Sequence, residues 1–447
     1  MSSESSGEEP GSQLRDVIRA VKEQEEWRGG STLNLIASEN RMSPLARALL
    51  VSDFNHRYAE GDPFDREYQG GRVVDYIEDL CIKLASRLFK ARFVDVRPIS
   101  GALANLAVYY ALAKPGDRLL KLSIPAGGHI SCDEIGAAGC RGLKTYDMPF
   151  NHEEMNIDVT KLAELADKVK PRMVTLGGSL ILFPHPVREV KKIVEAYDCV
   201  VHYDAAHVLG LMAGGVFQDP LREGADVVSS STHKTFPGPQ GGMIMSDDEQ
   251  VFRRVKRAVF PGLVSNHHLA RLPCLAVTLL EMQVYGEDYA KQVVKNAKAL
   301  AKALYDHGFD VLCPHKGFTE SHQVAVDVSR LGGGDTVAKI LERADIIVNK
   351  NLLPWDPVDR SHNPSGIRIG TQEVTRMGMK EGEMEVIAEL ISRLVKREDP
   401  EKVKGEVHKL VRDFSSVRYC FDGGELLKEA LSLLKPPLHV LDEPPRR

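Results

Sequence analysis

The residues best able to do chemistry stand at the ends of three apolar runs. In Val200-Val201-His202-Tyr203-Asp204-Ala205-Ala206-His207 a carboxylate closes a strand-like segment. Such an aspartate can pair with a cationic ring nitrogen of a bound group, or it can simply cap a following helix. His207, taken alone, reads as a structural histidine. In Asp226-Val227-Val228-Ser229-Ser230-Ser231-Thr232-His233-Lys234-Thr235 hydroxyl residues lead to a lysine, and Gly238-Pro239-Gln240-Gly241-Gly242 closes the segment. A lysine in so tight a place is poorly hydrated, so its amine can lose a proton and attack a carbonyl. The plain alternative is a surface lysine. At Ser100-Gly101-Ala102 small residues stand between a strand and a helix. The helix N-terminus offers unpaired N–H groups to an anion there, unless Ser100 only caps the helix. No GxxxxGK[ST] or GxGxxG run makes this a nucleotide loop.

The combination says more than its parts. An aspartate at one strand end, followed about thirty residues later by a lysine at another, suits pyridoxal phosphate chemistry. The lysine would carry the cofactor covalently, and the aspartate would keep its pyridine nitrogen protonated. The phosphate would lie on the helix N-terminus behind Ser100.

These segments need a scaffold that gathers strand ends. Strands are expected at 92–99, 119–124, 171–177, 199–203 and 225–229, alternating with helices. The helix at 102–113 stops at Lys114-Pro115-Gly116-Asp117. The alternation implies an α/β fold with a mainly parallel, doubly covered sheet, whose ligands bind outside the carboxyl ends of its strands. A long helical stretch at 267–308 leads to strands at 322–328 and 346–349 and helices at 334–342 and 381–395. The expected organisation begins with a disordered tail over 1–12. An N-terminal arm over 13–45 follows, with Leu14, Val17, Ile18 and Val21 at helical spacing. A large cofactor-binding domain spans 46–284, a smaller α/β domain 285–425, and a proline-bearing tail 426–447.

Composition closes off several classes. Hydrophobic residues at 43% and charged ones at 27% can fill a core. Lys+Arg 58 against Asp+Glu 63 argues against nucleic-acid binding driven by bulk positive charge. No apolar run reaches the roughly 18 residues of a membrane helix, and the N-terminus lacks the basic start and apolar segment of a signal peptide. Seven scattered cysteines without CxxC spacing fit reduced cytoplasmic thiols, so no metal site is expected.

Further motifs stand in order along the chain. They are Leu35-Ile36-Ala37-Ser38-Glu39-Asn40, Tyr58-Ala59-Glu60-Gly61, Gly127-Gly128-His129, Asp204 to His207, Thr232-His233-Lys234-Thr235 and Val259-Phe260-Pro261-Gly262-Leu263. Asn349-Lys350-Asn351 and Ser365-Gly366-Ile367-Arg368-Ile369-Gly370-Thr371 complete the set. With these, the chain from about residue 33 to 395 resembles the serine hydroxymethyltransferases, which are fold-type I pyridoxal phosphate enzymes. Tyr68-Gln69-Gly70 and the run from Pro261 to His268 look more like archaeal members. The resemblance implies a large, mostly parallel sheet domain with helices on both faces and a smaller C-terminal α/β domain. It implies a cytoplasmic homodimer or higher homo-oligomer with shared active sites. The implied reaction is reversible transfer of the serine hydroxymethyl carbon to a reduced pterin, tetrahydrofolate or a methanopterin-like relative, giving glycine.

By the same resemblance, Lys234 would carry the cofactor, Asp204 would pair with the pyridine nitrogen and His129 would stack on the ring. Ser179 and His207 would lie near the ring oxygen. Ser100, Gly101 and Ala102 would hold the phosphate, with Ser231 and His233 as further cofactor contacts and Tyr58 arriving from the neighbouring subunit. Arg368 would clamp the amino-acid carboxylate, helped by Ser38. Glu60 would serve the substrate hydroxyl and the carrier, Tyr68 would be catalytic, and Ile124, Gly128 and Asn351 would line the pterin site. Without the family, Arg368 could be a surface ion pair, His129 a turn histidine and Glu60 a solvated glutamate.

Three positions depart from the pattern. Glu67 stands where most members have tyrosine, Gln240 where many have arginine, and no Gly-Gly pair occurs near Val264-Ser265. Two other readings stay open. One is a carrier-independent threonine or allo-threonine aldolase, which Glu67 would suit. The other is a non-catalytic relative of the fold, against which intact Lys234, Asp204 and Arg368 argue.

Overall fold

The computed structural model describes residues 10–434; the parts of the expected tails at 1–9 and 435–447 lie outside the described residues. Seven strands form the main sheet: β1 (Phe93–Asp95), β2 (Arg118–Lys121), β3 (Lys144–Asp147), β4 (Met173–Gly177), β5 (Val200–Asp204), β6 (Val227–Ser231) and β7 (Gly242–Ser246). Their spatial order is β1-β7-β6-β5-β4-β2-β3. Only β7 runs against its neighbours; the other pairings are parallel. β4 and β6 are buried along their whole length, and β5 is buried after Val200. Continuous burial follows from helices covering both faces of a parallel sheet. The register sets Gly177 beside Asp204 and Asp204 beside Ser229. Three loops therefore leave the sheet at one level, at the carboxyl ends.

A second, antiparallel sheet follows: β8 (Asp310–Val311), β9 (Gln323–Asp327), β10 (Asn349–Asn351) and β11 (Gly366–Gly370), in the order β8-β9-β11-β10. Alternation along β11 sends Ile367 and Ile369 into the core of this smaller unit and Arg368 to the opposite face. The 36-residue helix Arg271–Asp306 joins the two units. Its first two-thirds, with Leu272, Leu275, Leu279 and Val293, packs into the large core, and its last turns, with Leu300 and Leu304, into the small one. At about 1.5 Å per residue this helix is long enough to serve both. Leu33 and Asn34 pair in parallel with Ile346 and Ile347, stitching the N-terminal arm to the small unit.

Two bounds differ from expectation. The helix of the arm already begins at Pro10, a residue pre-shaped for the first turn, so 10–12 are not tail. Leu14, Val17, Ile18 and Val21 do lie on it, and all four are exposed. At the other end, Gly424–Ser432 is a helix inside the segment expected as tail, because Leu427, Ala430 and Leu431 fall at helical spacing and the helix packs against Pro44–Ala48. No described helix is long and apolar enough to cross a membrane.

Candidate active site

The loops leaving β4, β5 and β6 and the N-terminus of the helix Gly101–Leu112 close around a cavity of about 170 Å³. Gly101, Ala102, His129, Asp204, His207, Ser231, His233 and Lys234 line it, with Asn105, Gly178 and Ala206. Ser100 caps the helix, accepting from the N–H of Leu103 at 3.1 Å. The cap still leaves first-turn N–H groups without a partner inside the helix, so this end remains able to receive an anion. Two glycines shape the opposite wall. Gly127 (φ +97°) and Gly178 (φ +143°) hold backbone conformations that side chains disfavour, and a Cβ on either would strike the carbonyl of Leu180 or Gly127.

Asp204 is buried. Its Oδ2 accepts from Asn105 Nδ2 at 2.8 Å and its Oδ1 from the N–H of Ala206 at 3.0 Å. Asn105 also donates to Ser131 Oγ at 2.8 Å and accepts from Ser229 Oγ at 2.5 Å. Ser131 in turn lies 2.7 Å from His129 Nδ1. No described cationic side chain forms a salt bridge with Asp204.

Lys234 is half-buried, and burial pulls its amine down to about 8, with Asp204 opposing and Arg368 adding to the effect. Its main-chain carbonyl accepts from Asn40 Nδ2 at 2.7 Å. Thr235 donates to the carbonyl of His207 at 2.7 Å and accepts from the N–H of Gly210 at 3.0 Å. The lysine therefore stands on a peptide held by the arm and by the β5 loop. Burial also lowers His129, and it lowers His233 to about 4 and His207 well below the usual imidazole range. These rings are neutral at pH 7. Nδ1 of His233 is buried without a partner.

Arg368 is 7% exposed, which removes the surface ion pair from consideration. Its Nη1 donates to the carbonyl of Ser179 and its Nε to Asn349 Oδ1 at 3.2 Å. Among the described residues no carboxylate pairs with it, and burial lowers it to about 10.

Other expected residues stand apart. Ser38 lines a separate cavity of about 850 Å³ that also touches His233 and Gln240. Ser179 meets the site through its carbonyl. Ile124 is half-buried and Gly128 buried, while Asn351, on β10, bonds the carbonyl of Leu352. Tyr58 and Tyr68 are 57% and 49% exposed, with rings edge to face at 5.7 Å, and Glu60 is half-buried. None of these lines the smaller cavity. A groove of about 790 Å³ beside His152 and Trp355 is larger, yet none of its carboxylate, imidazole or guanidinium side chains is buried. Volume alone does not mark the reactive centre.

Residue reasoning missed Asn105, His322 and Gln323. For Asn105 a signal existed: it is the one strongly polar side chain in Gly101–Leu112, one turn after Gly101.

A family model described as serine hydroxymethyltransferase matches residues 12–391. The chain belongs to the serine hydroxymethyltransferase family. Serine hydroxymethyltransferases from Methanopyrus kandleri (54% identical, over 92% of this chain and 96% of theirs) and Metallosphaera sedula (53%, over 91% and 95%) are similar along nearly their whole length. The crystal structure of L-threonine transaldolase from Pseudomonas fluorescens in its internal aldimine state has TM-score 0.86 and 32% identity, covering 94% of this chain and 97% of that one. Serine hydroxymethyltransferases are fold-type I pyridoxal phosphate enzymes, and the cavity fits that group. It offers an amine of lowered basicity, a buried carboxylate lacking a cation, a capped helix N-terminus and a neutral imidazole.

Proposed function

We propose that the chain interconverts serine and glycine, passing the serine hydroxymethyl carbon to a reduced pterin, tetrahydrofolate or a methanopterin-like relative. One observation carries this reading. Asp204 and Arg368 are buried charges of opposite sign, both near enough to Lys234 to perturb its amine, and neither has an ionic partner among the described residues. Burying an unpaired charge costs several kcal/mol, so each implies a ligand group. A protonated pyridine nitrogen answers the first, and an amino-acid carboxylate answers the second.

When bound, pyridoxal phosphate supplies an electron sink at the substrate α-carbon. The chain's residues do the rest. Lys234 offers a fraction of neutral amine near pH 7, competent to hold the aldehyde. Asp204, fixed by Asn105 and Ala206, keeps a proton on the ring nitrogen. Ser100, Gly101, Ala102, Ser231 and His233 would receive the phosphate, and neutral His129 would stack on the ring. Arg368 binds the carboxylate and so fixes the bond to be broken relative to the ring, while Ser179 and His207 serve the ring oxygen. Tyr58 would reach the site from a neighbouring subunit of a homodimer or higher oligomer, and Tyr68 would be a further catalytic group. Glu60 moves protons for the substrate hydroxyl and the carrier, whose pterin packs on Ile124, Gly128 and Asn351.

The likeness to L-threonine transaldolase gives specific ground for a second reading, carrier-independent cleavage of threonine or allo-threonine. The same lysine, aspartate and arginine would serve it. Serine and threonine cleavage, measured with each carrier and with none, separates the two. Carrier-dependent glycine formation from serine supports the first reading; threonine cleavage alone overturns it. Lys234→Ala is expected to lose the cofactor's visible absorbance and turnover together, and turnover that survived would remove Lys234 from its role.

A further inference from the structure

Gln323 opens β9 where the small sheet meets the active-site loops, and it is fully buried. The N–H of Ile181 donates to its Oε1 at 2.7 Å. A backbone N–H can only donate, so this contact decides which end of the amide is oxygen. Nε2 then donates to the carbonyl of Ser179 at 2.9 Å and lies 3.0 Å from Nδ1 of His207. An amide nitrogen has only hydrogens to give, so Nδ1 of His207 accepts. A neutral imidazole that accepts at Nδ1 carries its proton on Nε2. Burial, with Lys234 and Arg368 adding, keeps this ring neutral. Nε2 is the nitrogen left for the cavity that His207 lines. The ring cannot easily turn, because it stacks on His322 at 5.7 Å and 19°, and His322 donates from Nε2 to the carbonyl of Ala37 at 3.1 Å.

The Ser179 carbonyl that accepts from Gln323 also accepts from Arg368. The register explains the convergence. β9 and β11 pair Gln323 with Gly370 and Ala325 with Arg368, so Gln323 and Arg368 leave the sheet on one face. Val324, Val326, Ile367 and Ile369 leave on the other, into the small core.

We propose that Gln323 is a positioning residue that holds His207 in its Nε2–H tautomer, as a donor into the cavity, while bracing the Ser179 turn that anchors Arg368. The benefit to the reaction rests on the function proposed above, where the donor would face the cofactor's ring oxygen; the tautomer itself does not.

Histidine-specific ¹⁵N labelling of the full chain without cofactor reads the tautomer directly, since protonated and bare ring nitrogens resonate far apart. His207→Gln identifies the signal among the 15 histidines. The expected result is an Nε2–H pattern for His207 in the wild type, lost or mixed in Gln323→Leu. In the loaded enzyme that variant is expected to lose about tenfold in kcat/KM for serine, the worth of one net hydrogen bond. A wild-type Nδ1–H pattern, or an unchanged Nε2–H pattern in Gln323→Leu, overturns the proposal. Gln323→Met, equally long and without the amide, replaces the leucine variant should that one fail to fold. A wild type that left serine untouched would sink the functional reading, and the nitrogen shifts would still decide the tautomer.

Discussion

At the ends of β4, β5 and β6 polar side chains answer one another within a single chain; between Tyr58 and Tyr68 the residues expected to act do not. Asp204, Asn105, Ser131 and His129 form one buried hydrogen-bonded run, and Ser229 and His202 extend it at 2.5 and 2.7 Å. In a low-dielectric site such a run is rigid only when every member is satisfied, and the open valences here are the ligand-facing charges. Tyr58 and Tyr68, by contrast, touch each other at the surface. The difference teaches where preorganisation comes from. The chain builds the cofactor wall by itself, whereas the side proposed for substrate hydroxyl and carrier stays open at the surface of the single chain.

The comparison breaks most visibly at its unpaired cation. Arg368→Leu is expected to lower kcat/KM for serine on the order of a hundredfold or more, the worth of a lost charged, bidentate contact. Cofactor absorbance should persist, because the Asp204 network does not include Arg368. Steady-state kinetics beside a spectrum checks both, and unchanged kinetics would place the carboxylate elsewhere.

Lys234 gives the next effect, in stability. Its folded-state amine titrates near 8 against an ordinary 10.5. Between those values the unfolded chain keeps a proton that the folded chain has released, so stability rises with pH across that window. Below pH 8 the cost of burying the ammonium is fully present, roughly 2 kcal/mol for a half-buried group. Lys234→Met should therefore raise the melting temperature of the cofactor-free protein at pH 7. The gain should shrink from pH 8 upward and vanish above about 10.5. A variant no more stable at pH 7 would show that the amine is well solvated.

Asn105→Ala tests whether the closed half acts on the cofactor or only on the fold. It leaves Asp204 Oδ2 without its donor, at a cost of about 1 kcal/mol or somewhat more. Thermal unfolding should show that loss, and cofactor titration should show weaker binding of similar size. Destabilisation with unaltered cofactor affinity would make the run merely structural.

How much of this was legible in sequence follows from the same contrast. β5 and β6 announced themselves because each apolar run ended in the residue that matters. β3 did not, since Lys144-Thr145-Tyr146-Asp147 is an edge strand with no buried residue and no apolar pattern. β7 hid in Gly242-Met243-Ile244-Met245-Ser246, where glycine and methionine give little strand signal. Asn105 was readable as a polar residue in an apolar helix. Gln323 was not, because its partners Ile181 and His207 lie 142 and 116 residues away and only the fold brings them together. Tyr58, Glu60 and Tyr68 were read through family resemblance, and no local pattern around them points to chemistry.

The smallest change in stability is expected from Tyr58→Ala. The ring is 57% exposed and its hydroxyl has no partner among the described residues, so unfolding should shift by no more than about 0.5 kcal/mol. Turnover should nonetheless fall if Tyr58 completes a neighbouring subunit's site, and mixing separates that from a role at home. Tyr58→Ala and Lys234→Ala chains, unfolded and reassembled together, give hybrid dimers in which one site carries both lesions and the other carries neither. Half the dimers are hybrids, so about a quarter of the sites regain a full set of residues, and turnover should recover to roughly that level. Were Tyr58 to serve its own chain, each hybrid site would keep one lesion and the mixture would show no such recovery. The outer half of the site would then have to fold inward, and the contrast between the two halves would be one of exposure only.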